Sequence, residues 1–315
     1  MIPRKFCREV FGEQGNFGKP TRNIATVFLD TQASAPPQEN LSSLPCEQFC
    51  SSARITQMMN DLKIGGGLGP AESPLRPPLP GSPKPAWLSF LEDAEWKALC
   101  DIIAGAEAVG IETLIGGALG LAAYMPLQRR TKDIDFYVMP HLRDAMVSVL
   151  HEAGFRDFYE QAPYDRQWIY RGIREDTIAD VIWRFANHKT MVDEDWFRYS
   201  HFRPCDSEAV LRIIPPEELI WAKLFVLQRD RCDWPDILNL LYYVGPKLDW
   251  NRLYGRLGSD ARLLDALLTV FSWLCPDCPI RPPVNKVEDT GNCQFERANL
   301  LDTREWFLPQ FSPPC

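Results

Sequence analysis

The chain has 315 residues, a net charge of −8, and an ordinary soluble composition apart from its 27 prolines. That length can bury a core without disulfides or a structural metal. The acidic balance argues against indiscriminate binding to nucleic-acid backbones, while a local basic groove stays open. No apolar run is long enough to span a bilayer. The opening MIPRKFCREVF is basic but lacks the apolar stretch of a secretory leader, so a cytoplasmic protein with no membrane association is expected. Of the ten cysteines, Cys275 and Cys278 form a single CPDC. No second close pair or histidine pair accompanies it, so free thiols are expected rather than a zinc site.

Residues 1–85 show no sustained period and carry a Gly-rich patch (Gly65 to Gly67) and a Pro-rich run, PLRPPLPGSPKP. They read as a mostly disordered extension that buries too little apolar surface to offset its ordering entropy. From Ala86 the pattern changes. WLSFLEDAEWKALCDIIAGAEA has apolar residues at helical spacing and ends at Gly110. ETLIGG reads as a strand entering a glycine turn, ALGLAAYM as the helix leaving it, and DIDFYVM as an alternating strand. HLRDAMVSVLHEAGF is an amphipathic helix closed by Gly154, and FRDFYEQ is a further strand. QWIYRGI and TIADVIWRF, separated by REDT, form a hairpin.

Prolines and acids then open a helix through LIWAKLFVLQ. DILNLLYYV follows, closed by Gly245, and DARLLDALLTVFSWL has Ser259 placed as its N-cap. The expected organisation is an extension over 1–85, an αβ catalytic domain over 86–210, a helical domain completing the site over 211–275, and an irregular tail over 276–315. The fold class is α+β, a short mixed sheet flanked by helices and followed by a helical C-terminal half.

The chemistry concentrates in LIGGALGLAAYMPLQRRTKDIDFYV. Residues two apart in a strand share a face, so Asp133 and Asp135 project together while Ile134 points to the core. Two adjacent carboxylates repel one another unless a cation or proton lies between them. All-oxygen ligands favour Mg²⁺ or Mn²⁺, with substrate phosphates completing the shell. Gly116 and Gly117 lie between a strand and a helix N-terminus, where bare backbone N–H groups can approach a phosphate. Asp180 sits in IADVIW, an otherwise apolar strand in which an ionised carboxylate needs a metal or charge partner. It is the candidate third ligand of a two-metal scheme.

The pattern GG-(x)n-R-x-T-x-D-I-D resembles the signature of the nucleotidyltransferase superfamily named after polymerase β, including small bacterial members such as the AbiEii-type toxins. The resemblance runs from about Glu112 to Tyr243. It implies a nucleotidyltransferase fold and an NTP substrate, with Gly116 and Gly117 at its phosphates. It also implies that Asp133, Asp135 and Asp180 are both the metal ligands and the catalytic carboxylates. EELIWAKL and RDRCDWPDI are similar to two helical segments of the family, which implies that Lys223 contacts triphosphate and that Asp233 and Asp236 support the site or nucleotide. The chain departs from the family at Ala118, where many members have serine, and at Cys232, where lysine is usual.

Several of these residues have a plainer reading. Lys223 can be a snorkelling lysine, and Asp233 and Asp236 can complement a helix dipole. Arg129 and Arg130 can contact triphosphate or lie in solvent at the strand entrance. Trp183, Trp221 and Trp234 can stack a base or pack in the core. His141, His151, His188 and His201 show no ligand spacing.

Three functions are compatible with this sequence. The first is an enzyme that moves a nucleoside monophosphate from an NTP to a hydroxyl of RNA, protein or a small molecule. The second is a non-catalytic binding or regulatory protein of the same fold, with a toxin or antitoxin as partner. The third is an unrelated α+β domain with a structural aspartate pair.

Overall fold

The computed structural model describes residues 76–126, 130–131, 133–206, 209–228, 231–278 and 280, all within the compact unit Ile55–Cys315. The expected extension as far as residue 75 and the tail from 281 lie outside the described residues. Arg76 to Pro85 are described and lie against the folded part. Pro78 and Pro85 are buried, the Trp96 indole N–H donates to the Ser82 carbonyl (2.7 Å), and Lys84 Nζ reaches the Leu91 carbonyl (2.6 Å) and Asp93 (2.8 Å).

Helix α1 (Asp93–Ala108) starts at a capping box in which Glu92 and Glu95 satisfy one another's backbone N–H groups. Its buried face carries Trp96, Leu99, Cys100, Ile103 and Ala106, a helical period that packs one stripe into the core. Strand β1 (Leu114–Ile115) leads through Gly116 into helix α2 (Gly117–Tyr124), seven of whose residues are buried. After β2 (Asp133–Tyr137) come α3 (Arg143–Glu152), β3 (Arg156–Asp157), β4 (Ile169–Arg174), β5 (Thr177–Ile182) and α4 (Glu194–Arg198). Two further strands, β6 (His201–Pro204) and β7 (Val210–Ile213), were not apparent in the sequence pattern.

The strands form one mixed sheet in the order β3-β4-β5-β2-β1-β7-β6. β2 lies at its centre, parallel to β5 and antiparallel to β1, while β7 runs parallel to β1. Ile134 and Phe136 are buried beneath β2, as period-two alternation requires. The expected strand FRDFYEQ is confined to Arg156–Asp157, whereas the hairpin of β4 and β5 forms in full register from Ile169↔Ile182 to Arg174↔Thr177.

The helical part comprises α5 (Pro216–Leu224), α6 (Trp234–Val244), α7 (Trp250–Leu257) and α8 (Ala261–Leu274). The N-cap of α8 is Asp260 and no side chain caps it; Ser259 falls in the short 3-10 turn before it. α5 buries Glu217 and Glu218, which face Arg252 and Arg256 of α7. Arg252 bonds both acids, meeting Glu218 at 2.6 Å, and Arg256 adds Asp193 (2.5 Å). Arginines four apart share one helix face, so this buried charge cluster fixes α7 against α5. The architecture is therefore α+β, a seven-stranded mixed sheet with flanking helices and a helical C-terminal region. No helix among the described residues is long and apolar enough to cross a membrane.

The packing of residues 76–85 carries a measurable consequence. A chain beginning at Ala86 should be less stable than one beginning at Arg76 by about 2 kcal/mol, because the Trp96 indole N–H loses its partner and two buried prolines are removed. Urea unfolding of the two forms measures the difference. Equal midpoints would mean that these contacts contribute nothing.

Candidate active site

The sheet register assembles the site. Asp135 of β2 lies directly beside Asp180 of β5, and Asp180 lies beside Arg171 of β4. In a sheet, directly paired residues share a face, so three strands bring Asp133, Asp135, Asp180 and Arg171 to one surface. Asp180 is 1 % exposed. Arg171 grips it with two parallel bonds, Nε–Oδ1 at 2.8 Å and Nη2–Oδ2 at 2.5 Å. The same guanidinium reaches Asp133 Oδ2 at 3.5 Å. Arg171 supplies the charge partner that the apolar setting of Asp180 demanded. The sequence reading missed it because a single arginine in an alternating strand carries no signal until the hairpin register is known.

One cation thus faces three carboxylates. Asp135 makes no ion pair among the described residues. Burial, followed by the negative charges of Asp180 and Asp133, pushes its carboxyl up to about 7. Burial also raises Asp180, against the opposing pull of Arg171. The Asp180 pairing holds the Arg171 guanidinium more firmly protonated than an isolated one.

The glycine pair closes one side of this surface. Gly116 N–H donates to the Asp135 carbonyl (3.1 Å). A Cβ on Gly116 would collide with the Tyr137 ring. Gly117, at φ +54°, begins α2, and a Cβ there would overlap the Asp135 carboxylate. Glycine at 117 is required twice over, by its left-handed backbone and by the close approach of the acid.

The helical part supplies the other wall. Lys223 of α5 is held by Asp233 (2.7 Å) and Asp236 (2.9 Å). Lys223 and Asp233 line the same cleft as Gly117, Asp133, Asp135, Asp180 and Arg171, a cavity of about 350 Å³. Of the expected residues, Asp133, Asp135, Asp180, Gly117, Lys223 and Asp233 converge on the cleft, while Gly116, packed against the Tyr137 ring, and Arg130 do not line it. Arg130 pairs with Glu92 (2.9 Å), a residue distant in the chain, on an exposed surface. Arg129 lies outside the described residues. Trp183 and Trp221 are core residues, and the Trp234 indole donates to the Leu224 carbonyl (3.1 Å).

Among the described residues, no three His, Cys, Asp or Glu side chains converge tightly enough to cage a metal ion by themselves. The donor chemistry nevertheless fits Mg²⁺ or Mn²⁺. Such ions take one or two carboxylates and complete their shell with water and substrate phosphates, and Asp133 and Asp135 share one face, with Asp135 making no ion pair among the described residues.

Two outcomes follow from this geometry. Asp135 must shed its proton before it can hold a cation, so stabilisation by Mg²⁺ or Mn²⁺ should be larger at pH 8 than at pH 6, with apparent affinity falling about tenfold per pH unit below 7. In metal-free protein the same group acts in the opposite sense. Its folded pKa lies above the unfolded carboxylate value of about 3.9, so its contribution to stability declines as pH rises from about 4 to 7. Thermal unfolding with and without metal across this range reads both effects, and a metal increment independent of pH would contradict them. Gly117→Ala should abolish the metal response, whereas Gly258→Ala, at φ +51° with open space around it, should cost only about 1–3 kcal/mol of backbone strain and retain that response.

No protein-family model matches the chain, and no curated protein matches it. Among solved structures, it is similar to the antibiotic-resistance factor ANT(2″)-Ia, with 16% identity, 59% of this chain and 95% of that one covered, and a TM-score of 0.32. It is also similar to the lincosamide antibiotic adenylyltransferase LnuA in its lincomycin-bound form, with 17% identity, coverages of 47% and 96%, and a TM-score of 0.34. A third similar structure is JHP933 from Helicobacter pylori, with 14% identity, coverages of 68% and 91%, and a TM-score of 0.33.

Proposed function

We propose that this chain is a metal-dependent nucleotidyltransferase of the polymerase-β type, moving a nucleoside monophosphate from an NTP to a hydroxyl acceptor. The observation that carries this reading is the excess of acidic charge, three carboxylates against one arginine, beside a glycine-started helix on a cleft wall that also bears a lysine. That combination suits a divalent cation bound with a triphosphate.

In this reading Asp133 and Asp135 hold Mg²⁺ or Mn²⁺. When bound, the metal neutralises phosphate charge and makes the acceptor hydroxyl easier to deprotonate. The Gly117 N–H end of α2 receives phosphate oxygens, as the helix dipole favours. Lys223 is held on the opposite wall by Asp233 and Asp236 and meets a phosphate oxygen by exchanging one of these carboxylates for it. The acceptor oxygen bonds to the α-phosphorus, the α–β bridging P–O bond breaks, and pyrophosphate leaves. Asp180 takes the hydroxyl proton. A carboxylate has about four lone-pair positions and Arg171 uses two, so Asp180 can accept while its orientation is held.

The acceptor class stays open among RNA, protein and small molecules. A non-catalytic binding or regulatory role, with a toxin or antitoxin partner, is the alternative. Binding of a metal–nucleotide alone requires a pair such as Asp133 and Asp135 but no proton acceptor at Asp180, so a transfer assay separates the two.

The test separates chemistry from folding. Asp135→Asn removes one repelling charge without orphaning a partner, so the metal-free variant should unfold at a higher temperature than the parent at pH 8. Its transfer of label from α-labelled NTPs into RNA, protein or small molecules of a cell extract should fall on the order of 10³-fold. Transfer at the parental rate would exclude the carboxylate mechanism. A parent chain that neither transfers label nor is stabilised by Mg²⁺ with NTP would exclude the nucleotidyltransferase reading as a whole.

A further inference from the structure

Beyond the carboxylates the cleft ends in a wall of rings, and we propose that Trp168 and Phe185 form a stacking subsite for a flat, uncharged ring carried by one of the two substrates. The inference rests on the nucleotidyl-transfer reading and adds to it the chemistry of the group bound next to the reacting end. Ile169 of β4 pairs with Ile182 of β5. Both share a face with Arg171 and Asp180 and lie one pleat further along, about 7 Å by strand rise. From there the aromatic wall continues through Trp168, just before β4, and Phe185, just after β5.

Tyr137, Phe185 and Trp168 make a ladder of near-parallel rings. Tyr137 and Phe185 are 5.9 Å apart at 23°, and Phe185 and Trp168 are 6.4 Å apart at 12°. Tyr137 is buried and anchors the ladder. Trp168 and Phe185 are only partly buried, and both line the cleft, joined by Phe225 from the end of α5. Flat groups add to such a ladder by offset stacking.

The polar groups at this end do not ask for a charged ligand. Lys189 lines the cleft near these rings. It pairs with Asp260 and stands 5.7 Å from the Phe225 ring centre. The Asn187 amide is engaged locally, donating to Thr190 Oγ1 (3.0 Å) and accepting from the Lys189 and Thr190 N–H groups (2.9 Å each). Of the carboxylates that line the cleft, Asp133, Asp135 and Asp180 belong to the sheet surface around Arg171 and Asp233 is paired with Lys223. Asp260 is already engaged by Lys189, so these rings present no free acid to a polycationic group. A neutral ring finds aromatic faces. Two sources offer one: the base of the NTP, or a ring beside the acceptor hydroxyl.

The experiment compares the full chain with Trp168→Ala and Trp168→Phe. Calorimetry with Mg²⁺ measures the binding of each NTP and of inorganic triphosphate, and label transfer into cell extract is measured at saturating NTP. Trp168→Ala should weaken one ring-bearing substrate about tenfold, leave triphosphate binding unchanged, and be largely rescued in Trp168→Phe. Weakened NTP binding identifies the base as the ring. Unchanged NTP binding with transfer reduced about tenfold identifies the acceptor's ring. If neither changes, or if triphosphate and NTP weaken equally, the subsite is refuted. A parent chain that binds neither NTP nor triphosphate refutes instead the transfer reading beneath it.

Discussion

Three carboxylates crowd one surface of the central strands, and a single arginine answers them. Two like charges about 4 Å apart near a protein surface cost about 4 kcal/mol, so the arrangement persists only where the sheet enforces it. Here the register does so: β2 and β5 are parallel with Asp135 opposite Asp180, and the β4–β5 hairpin delivers Arg171 to the same level. The bidentate pair neutralises Asp180 and touches Asp133, leaving Asp135 without a counter-ion among the described residues. Burial first, and then the charges of Asp180 and Asp133, raise the proton affinity of Asp135. A structure selected for stability alone would have placed an apolar residue there.

The rest of the molecule serves that surface. α2 begins where Gly117 lets the backbone pass against the Asp135 carboxylate, so the helix N-terminus and the acid share one small volume. α5 carries Lys223 to the cleft, and its first turn is locked to α7 through Glu217, Glu218, Arg252 and Arg256. Burial pushes Glu218 up to about 7 against the pull of these arginines. Removing either member of such a buried set leaves the other uncompensated, which costs far more than the intact pair contributes. The cluster therefore acts as a geometric clamp that sets where Lys223 stands relative to the sheet.

Lys223 itself is neutralised twice, by Asp233 and Asp236. This contact gives the helix-start acids a second partner besides the α6 dipole. The same carboxylates that favour the N-terminus of α6 also fix the ammonium at the cleft wall.

What the sequence determined by itself was local. Period-two spacing put Asp133 and Asp135 on one face, the glycine pair marked the strand-to-helix turn, and an acid in an apolar strand announced that Asp180 needs a partner. Those signals are carried by residues near one another in the chain, where backbone geometry alone sets which side chains meet. The tertiary structure decided the rest. It chose Arg171 as the partner of Asp180, turned Arg130 to Glu92, extended the sheet through β6 and β7, and placed Trp168 rather than Trp183, Trp221 or Trp234 at the cleft. Each of these depends on strand order and register, which long-range pairing fixes and no local pattern encodes.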